Sequence, residues 1–388
     1  MFSQFFIPWG IKMLIKKGIA KTTLLILVVV IVAIAAVGGY LAYQYTRPTK
    51  QTFKIFFYDP EPGNPWWDLL AAGVEKGVQD LKSKEGIEIE FQRFDATTLD
   101  EQIRQLDQAK ALRPHAIVIG ARGVGVIEKL KELRREGIIV IDVDRQLPDP
   151  DCRDLALGTD NRAAAAEMLR RFLAYLEQKG VPKPYKFVII KALPGIPVTD
   201  YRYEGYMMVL DPLIKKGEVQ ILDTIEVDSG KIEECRRGAE AAVTKWGRQM
   251  TAIITVNNLI SIASVEALKA AGINPKTEVL VLSFDAQPES FLEMIRSGDV
   301  AWSITQTPHL EGYWGVWAAY YIWKGKITPP RGAVIHTPTY IVLPCNATWV
   351  KDFVDHIILD PTLIIDLVGR MTKENPRIYA PALNPKNC

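Results

Sequence analysis

Residues suited to binding cluster where the apolar runs of this chain end: Asp59 to Trp67, Gly120 to Gly125, Asp144 to Gln146, Thr159 to Asn161, Thr199 to Arg202, Asn257, Asn258, Asp285 and Gln306. Asn, Asp, Arg, Gln and Trp dominate these positions, and together they suit a neutral polyol. Carboxylate and amide oxygens accept from hydroxyls, a guanidinium donates two parallel hydrogen bonds, and an indole covers the C–H face of a sugar ring. Groups for covalent chemistry are missing. The chain has no acid–His–nucleophile grouping, no GxSxG elbow, no GxxxxGK[ST] loop and no GxGxxG opening a helix. Gly120-Ala121-Arg122-Gly123-Val124-Gly125 has the wrong spacing for either phosphate motif and reads as a tight strand-to-helix turn, although Arg122 is placed to reach the same region.

Cys152, Cys235, Cys345 and Cys388 are too far apart for a CxxC motif, which leaves one or two disulfides and buried free thiols as alternatives. His115, His309, His336 and His356 lack zinc-ligand spacing and read as surface or supporting residues, so no metal and no cofactor is expected.

The elements that position these residues follow from periodicity. Strand-like runs at 54–58, 87–91, 116–120, 138–143, 186–190, 219–225, 252–256 and 279–284 alternate with helical stripes such as Trp67, Leu70, Val74 and Leu81, or Leu169, Phe172 and Leu176. Near-continuous apolar strands between amphipathic helices imply parallel sheets covered on both faces, an α/β fold. Two doubly wound domains and a closed (β/α)8 barrel both satisfy this pattern, and both bind ligands at the carboxyl ends of strands.

Seven short motifs, in order, carry a resemblance over residues 54 to 340. They are Asn64-Pro65-Trp66-Trp67, Asp144-Arg145-Gln146, Thr159-Asp160-Asn161, Arg202 before Gly205-Tyr206, Asn257, Ser283-Phe284-Asp285 and Ile304-Thr305-Gln306 among the surrounding strands. Their order and spacing resemble the ribose-, pentose- and hexose-binding proteins of ABC transporters. The resemblance implies a type I periplasmic-binding-protein fold, two parallel-sheet domains joined by three crossing segments at Thr159–Asn161, Ser283–Asp285 and Ile304–Gln306. It implies a ligand shell of Asn64, Trp66, Trp67, Asp144, Arg145, Arg202, Asn257, Asp285 and Gln306, with Trp66 the better stacking residue because Trp67 fits the helix stripe. Asp144 is expected to pair with Arg145 and to have its pKa depressed by it. Two departures stand out: Asn257-Asn258 where the family has Asn-Asp, and no third stacking aromatic near Ser229 or Gly230. A larger sugar, a polyol, a sugar acid and a furanosyl ligand are all compatible.

The 388 residues carry a formal charge of +2, yet the first 47 hold five cations and no acid, leaving 42 Lys and Arg against 45 Asp and Glu in the body. That excludes the cationic excess of a sequence-independent nucleic-acid binder. Residues 22–46 are uncharged and follow four lysines. About 20 apolar residues suffice to span a bilayer, so 22–46 are expected to be a transmembrane anchor or a signal segment, with 1–21 cytoplasmic and the remainder on the extracellular face. Lys16-Lys17-Gly18-Ile19-Ala20 resembles the processing site of archaeal pilin-type signals. Beyond a linker at 47–52, the expected lobes are 53–158 with 286–305, and 159–285 with 306–344. A tail, 345–388, carries the sequon Asn346-Ala347-Thr348. The expected function is capture of a monosaccharide or related polyol by hinge closure and its delivery to an ABC permease, without catalysis. A sensing ectodomain that acts through a signalling partner shares every cleft residue. A glycosidase would need Asp144 and Asp285 as its carboxyl pair.

Overall fold

The computed structural model describes residues 21–46, 51–354, 357 and 359–381. The chain forms two compact units, Met1–Gln51 and Thr52–Cys388. In the first, helix α1 (Lys21–Thr46) carries exposed apolar side chains including Leu25, Ile31 and Ile34. Among the described residues no helix is long and apolar enough to cross a membrane, and the described side chains of α1 span only positions 25–40. The basic segment 1–20 with its processing-site resemblance, linker positions 47–50, His356 and Cys388 lie outside the described residues.

The second unit runs β1 (Thr52–Asp59), α2 (Pro65–Glu85), β2 (Glu88–Asp95), α3 (Leu99–Leu112), β3 (Ala116–Ile119), α4 (Ile127–Arg135), β4 (Ile139–Val143), β5 (Leu155–Gly158) and α5 (Asn161–Gln178). It continues through β6 (Tyr185–Ala192), α6 (Pro197–Lys215), β7 (Val219–Val227), α7 (Ile232–Trp246), β8 (Ala252–Thr255), α8 (Asn258–Ala270), β9 (Leu280–Leu282), α9 (Glu289–Arg296) and β10 (Ser303–Thr305). Last come α10 (Pro308–Trp323), β11 (Val334–His336), β12 (Tyr340–Val342), α11 (Ala347–Val354), α12 (Leu363–Gly369) and β13 (Arg377–Tyr379).

These elements build two α/β lobes. The first holds a parallel sheet of order β13-β11-β5-β4-β3-β1-β2, the second a parallel sheet of order β7-β6-β8-β9 with an antiparallel β10-β12 pair beside it. Strand alternation explains why both faces are covered. Phe53, Ile55 and Phe57 of β1 join the core under α2 and α10, whereas Phe56 and Tyr58 point to the opposite core with Leu106 and Leu130.

Two expectations need correction. Residues 286–305 belong to the second lobe, because the apolar face of α9 (Phe291, Leu292, Ile295) together with Val300 and Ile304 packs into the second core. Conversely, α10 returns to the first lobe, where Leu310, Tyr313, Trp314 and Trp317 are buried, and β11 adds to the first sheet. The chain therefore does not cross at Ser283–Asp285, since Phe284 and Ala286 both sit in the second core. It crosses after β5, between β10 and α10, between β11 and β12, and again between α11 and α12. The tail visits both lobes, Ala347 and Val350 entering the second core and Ile364, Leu367 and β13 the first. Within it, the Nδ2 of Asn346 donates to Ile341 O at 3.1 Å, so the sequon's amide nitrogen is engaged in the fold. Cys152 and Cys235 are free and buried, while Cys345 is disulfide-bonded.

The contact between α2 and α10 seats the first strand–helix junction, and it depends on two glycines. A Cβ on Gly73 would strike the His309 carbonyl, and one on Gly312 would strike the Leu70 carbonyl. Backbone cannot yield as a side chain end can. Gly312→Ala should therefore destabilise the folded chain by about 1–3 kcal/mol, as overpacked cores do. Urea unfolding of the variant against wild type measures this, and an unchanged midpoint would show that the helices separate at no cost.

Candidate functional site

A cavity of about 490 Å³ lies between the lobes at the carboxyl ends of their strands. Asn64, Trp66, Trp67, Asp144, Arg145, Arg202, Asn257, Asp285 and Gln306 all line it, so residues read from scattered strand ends meet on one surface.

The first-lobe wall is built on the loop between β1 and α2. Asn64 caps α2 by accepting from Trp66 N at 3.0 Å, and its amide donates to Glu61 Oε2 at 2.8 Å. That fixes Glu61, whose other oxygen takes a hydrogen bond from Arg145 at 2.5 Å. Arg145 Nε stands 3.3 Å from Asp144, and its guanidinium lies over the Trp67 ring at 5.2 Å. The two indoles pack edge to face with centroids 5.0 Å apart. Trp67 is 2% exposed and forms core; Trp66 is 9% exposed, and its Nε1 has no hydrogen-bond partner among the described residues.

On the second-lobe wall Arg202 is locked by Nε donating to Asn161 Oδ1 and Nη1 to Val256 O, both at 2.8 Å, with Phe284 beneath it at 4.2 Å. Its remaining nitrogen lies 3.9 Å from Asp285. Gln306 donates to Asp285 Oδ1 at 2.8 Å, which leaves its own buried Oε1 without a partner among the described residues. Asn257 has a different standing. Its side chain caps α8 through Ile260 N at 3.1 Å and donates to Ser229 O at 3.1 Å, so it shapes the wall more than it offers free groups. Asp144 (φ 65°) and Asp285 (φ 76°) both occupy the left-handed region, a cost that turns each carboxylate into the cleft.

The periplasmic binding protein domain family matches residues 55–327. The chain belongs to that family. D-xylose-binding periplasmic proteins of Escherichia coli and Haemophilus influenzae are 26% identical over 167 residues and 24% identical over 163, in each case 42% of this chain and 47% of the relative. The chain thus matches about half the length of these curated relatives. Among solved structures, a galactofuranose binding protein superposes with a TM-score of 0.66 at 19% identity, over 78% of this chain and all of the other. A carbohydrate transporter solute binding protein from Agrobacterium radiobacter, in complex with D-arabinose, gives 0.65 at 20% identity over 79% and 99%. A XylFII–LytSN complex gives 0.62 at 19% identity over 76% and 99%. The fold is that of type I periplasmic-binding proteins.

In this member of the family, Glu61 is a cleft residue that the motif match leaves out. Its signal was present as an acid in the Pro-rich run Asp59-Pro60-Glu61-Pro62, but its Arg partner comes from 84 positions away. Leu259 and Ile262 form an apolar wall on the second lobe, where no aromatic lines the cavity among the described residues. Arg122 does not reach the cleft, because its guanidinium is turned to the carbonyls of Pro60 and Ala96.

The electrostatics also correct an expectation. Burial outweighs the attraction of Arg145 and Arg202, helped by repulsion from Glu61 and Asp285, and pushes the Asp144 carboxyl up to about 6 rather than down. Glu61 behaves oppositely. Burial pushes it up, but the charge of Arg145 and the hydrogen bonds from Asn64 and Arg145 together hold it below the ordinary range.

A raised carboxyl value favours folding where the group is protonated, so this contribution is full below about pH 4 and is lost as pH rises through about 6. Asp144→Asn removes it. In thermal denaturation of the ligand-free full-length chain, the variant should gain on wild type between pH 4 and pH 7.5 by on the order of 2 kcal/mol. Parallel pH profiles would contradict the assignment.

Proposed function

We propose that the chain is an extracytoplasmic receptor that captures a neutral monosaccharide or related polyol between its lobes and hands it to an ABC permease. The observation that carries this reading is the set of buried polar atoms left over in one cavity: Trp66 Nε1, Arg145 Nε and Gln306 Oε1 have no hydrogen-bond partner among the described residues. Leaving such atoms unpaired costs about 1–3 kcal/mol each, and hydroxyl groups satisfy donors and acceptors alike. Three carboxyls (Glu61, Asp144, Asp285) and two guanidiniums (Arg145, Arg202) line the cavity, each guanidinium beside carboxylate on its own wall. That balance supports a neutral ligand and disfavours a sugar acid. Hinge closure follows if the ligand touches both walls, since it then shifts the lobes by its differential affinity. Binding of this kind needs no catalysis and no cofactor.

The membrane tether belongs to the same proposal. It is supported by the uncharged run 22–46 and by the exposed apolar side chains of α1, which water does not favour. It would hold the second unit on the outer face of the membrane. A second reading, sensing through a signalling partner, is supported by the likeness to a chain of the XylFII–LytSN complex.

A thermal-shift screen of the full-length chain against pentoses, hexoses, polyols and sugar acids tests the ligand class. A neutral sugar at 100 times its Kd should add about 2.7 kcal/mol of stability. Trp66→Ala should weaken that sugar roughly tenfold by removing the stacking face. A response confined to sugar acids, or an affinity indifferent to Trp66→Ala, would overturn the reading.

A further inference from the structure

A second, smaller cavity of about 170 Å³ lies at the crossings, and the ligand cleft does not include it. Its wall combines Gln146, Arg153, His336 and Arg377 from the first lobe with Arg162 and Tyr201 from the second. His336 is 2% exposed, and neither of its ring nitrogens has a hydrogen-bond partner among the described residues. Its Nε2 stands 4.0 Å from Asp160, but that carboxylate is already used, one oxygen capping α5 through Ala163 N at 3.0 Å and the other accepting from Tyr379. Arg153 is 6% exposed. It donates to the carbonyl of Leu147 and lies 3.7 Å from Asp142, yet its Nε also lacks a partner among the described residues.

A buried imidazole and a buried guanidinium nitrogen, both unpartnered in a cavity that two further arginines rim, make a site for negative charge. Asp160 is the single carboxylate lining that cavity among the described residues. We propose that this cavity binds a small tetrahedral oxyanion of the phosphate class. The volume equals roughly six waters at about 30 Å³ each, which suits such an ion and excludes a nucleotide. Arg153 supplies charge-assisted hydrogen bonds from the first lobe and His336 donates from β11, while Arg162, whose Nε is paired with Glu204 and whose guanidinium lies 3.8 Å above the Tyr201 ring, closes the site from the second lobe with its remaining nitrogens. Because the walls come from both lobes, the ion acts as an effector of lobe closure, and by reciprocity it and the cleft ligand change each other's affinity by the same factor. Oxyanion binding itself stands independently of the sugar reading; only this coupling rests on it.

Calorimetric titration of the full-length chain with inorganic phosphate, sulfate and glycerol 3-phosphate tests the site. Saturable one-to-one binding of free phosphate is expected; binding of glycerol 3-phosphate alone would reassign the site to the head group of a larger molecule and overturn the free-ion proposal. His336→Asn should weaken phosphate about tenfold, the loss of one buried donor. Arg377→Glu alters only an exposed rim and should weaken it roughly fivefold even if the His336 variant fails to fold, whereas the same charge change at Arg236, outside the cavity, should not. No saturation, displacement of phosphate by the cleft sugar in direct competition, or equal effects of the Arg377 and Arg236 variants would each refute the proposal.

Discussion

The removal of Arg145 from water is the constraint around which the cleft is organised. Desolvating a guanidinium costs several kcal/mol, and it is tolerated only where counterions and hydrogen bonds are already in place. Glu61 and Asp144 provide them, and each is held by other parts of the fold: Glu61 by the Asn64 cap of α2, Asp144 by a left-handed strand end. The glycine contact between α2 and α10 keeps that cap where it is needed. On the opposite wall Arg202 is held in the same manner by Asn161, Val256 O and Asp285. Two fixed cations and their carboxylates thus face each other across a space that a hydroxyl-rich molecule can fill.

The α/β class, most strands and the cleft residues were legible in the sequence because they rest on local signals. Apolar runs of four or more residues mark strands covered on both faces, and cavity-lining groups follow directly after them in the chain. Trp67 could be read as core from its stripe with Leu70 and Val74. Assignment of 286–305 and 306–344 to the lobes was not legible. The strands β10, β11 and β12 have three residues each, too few for a period to show, and which core α9 or α10 enters depends on partners far away in the chain. Glu61 and the raised Asp144 carboxyl escaped for a related reason, since burial and a partner 84 positions distant decide them.

Asn257 illustrates a different limit. Its place after β8 follows from the motif, but a side chain spent on capping α8 and on Ser229 O contributes shape where free donors were expected. With Ser229 and Gly230 standing where the resemblance implies a third aromatic, the second-lobe wall presents Arg202, Asp285 and Gln306, and the indole of Trp66 stands on the first-lobe wall. The cleft is therefore asymmetric, an indole on one side and a polar triad on the other.

Such asymmetry matters only if one ligand touches both walls at once. Spin labels on exposed Glu128 of the first lobe and exposed Lys216 of the second, placed on the full-length chain, measure this through the distance between them. A saturating cleft ligand should narrow the distance distribution to a single closed population, relative to a broader one without ligand. A ligand that binds while the distribution stays unchanged would contradict capture between the lobes.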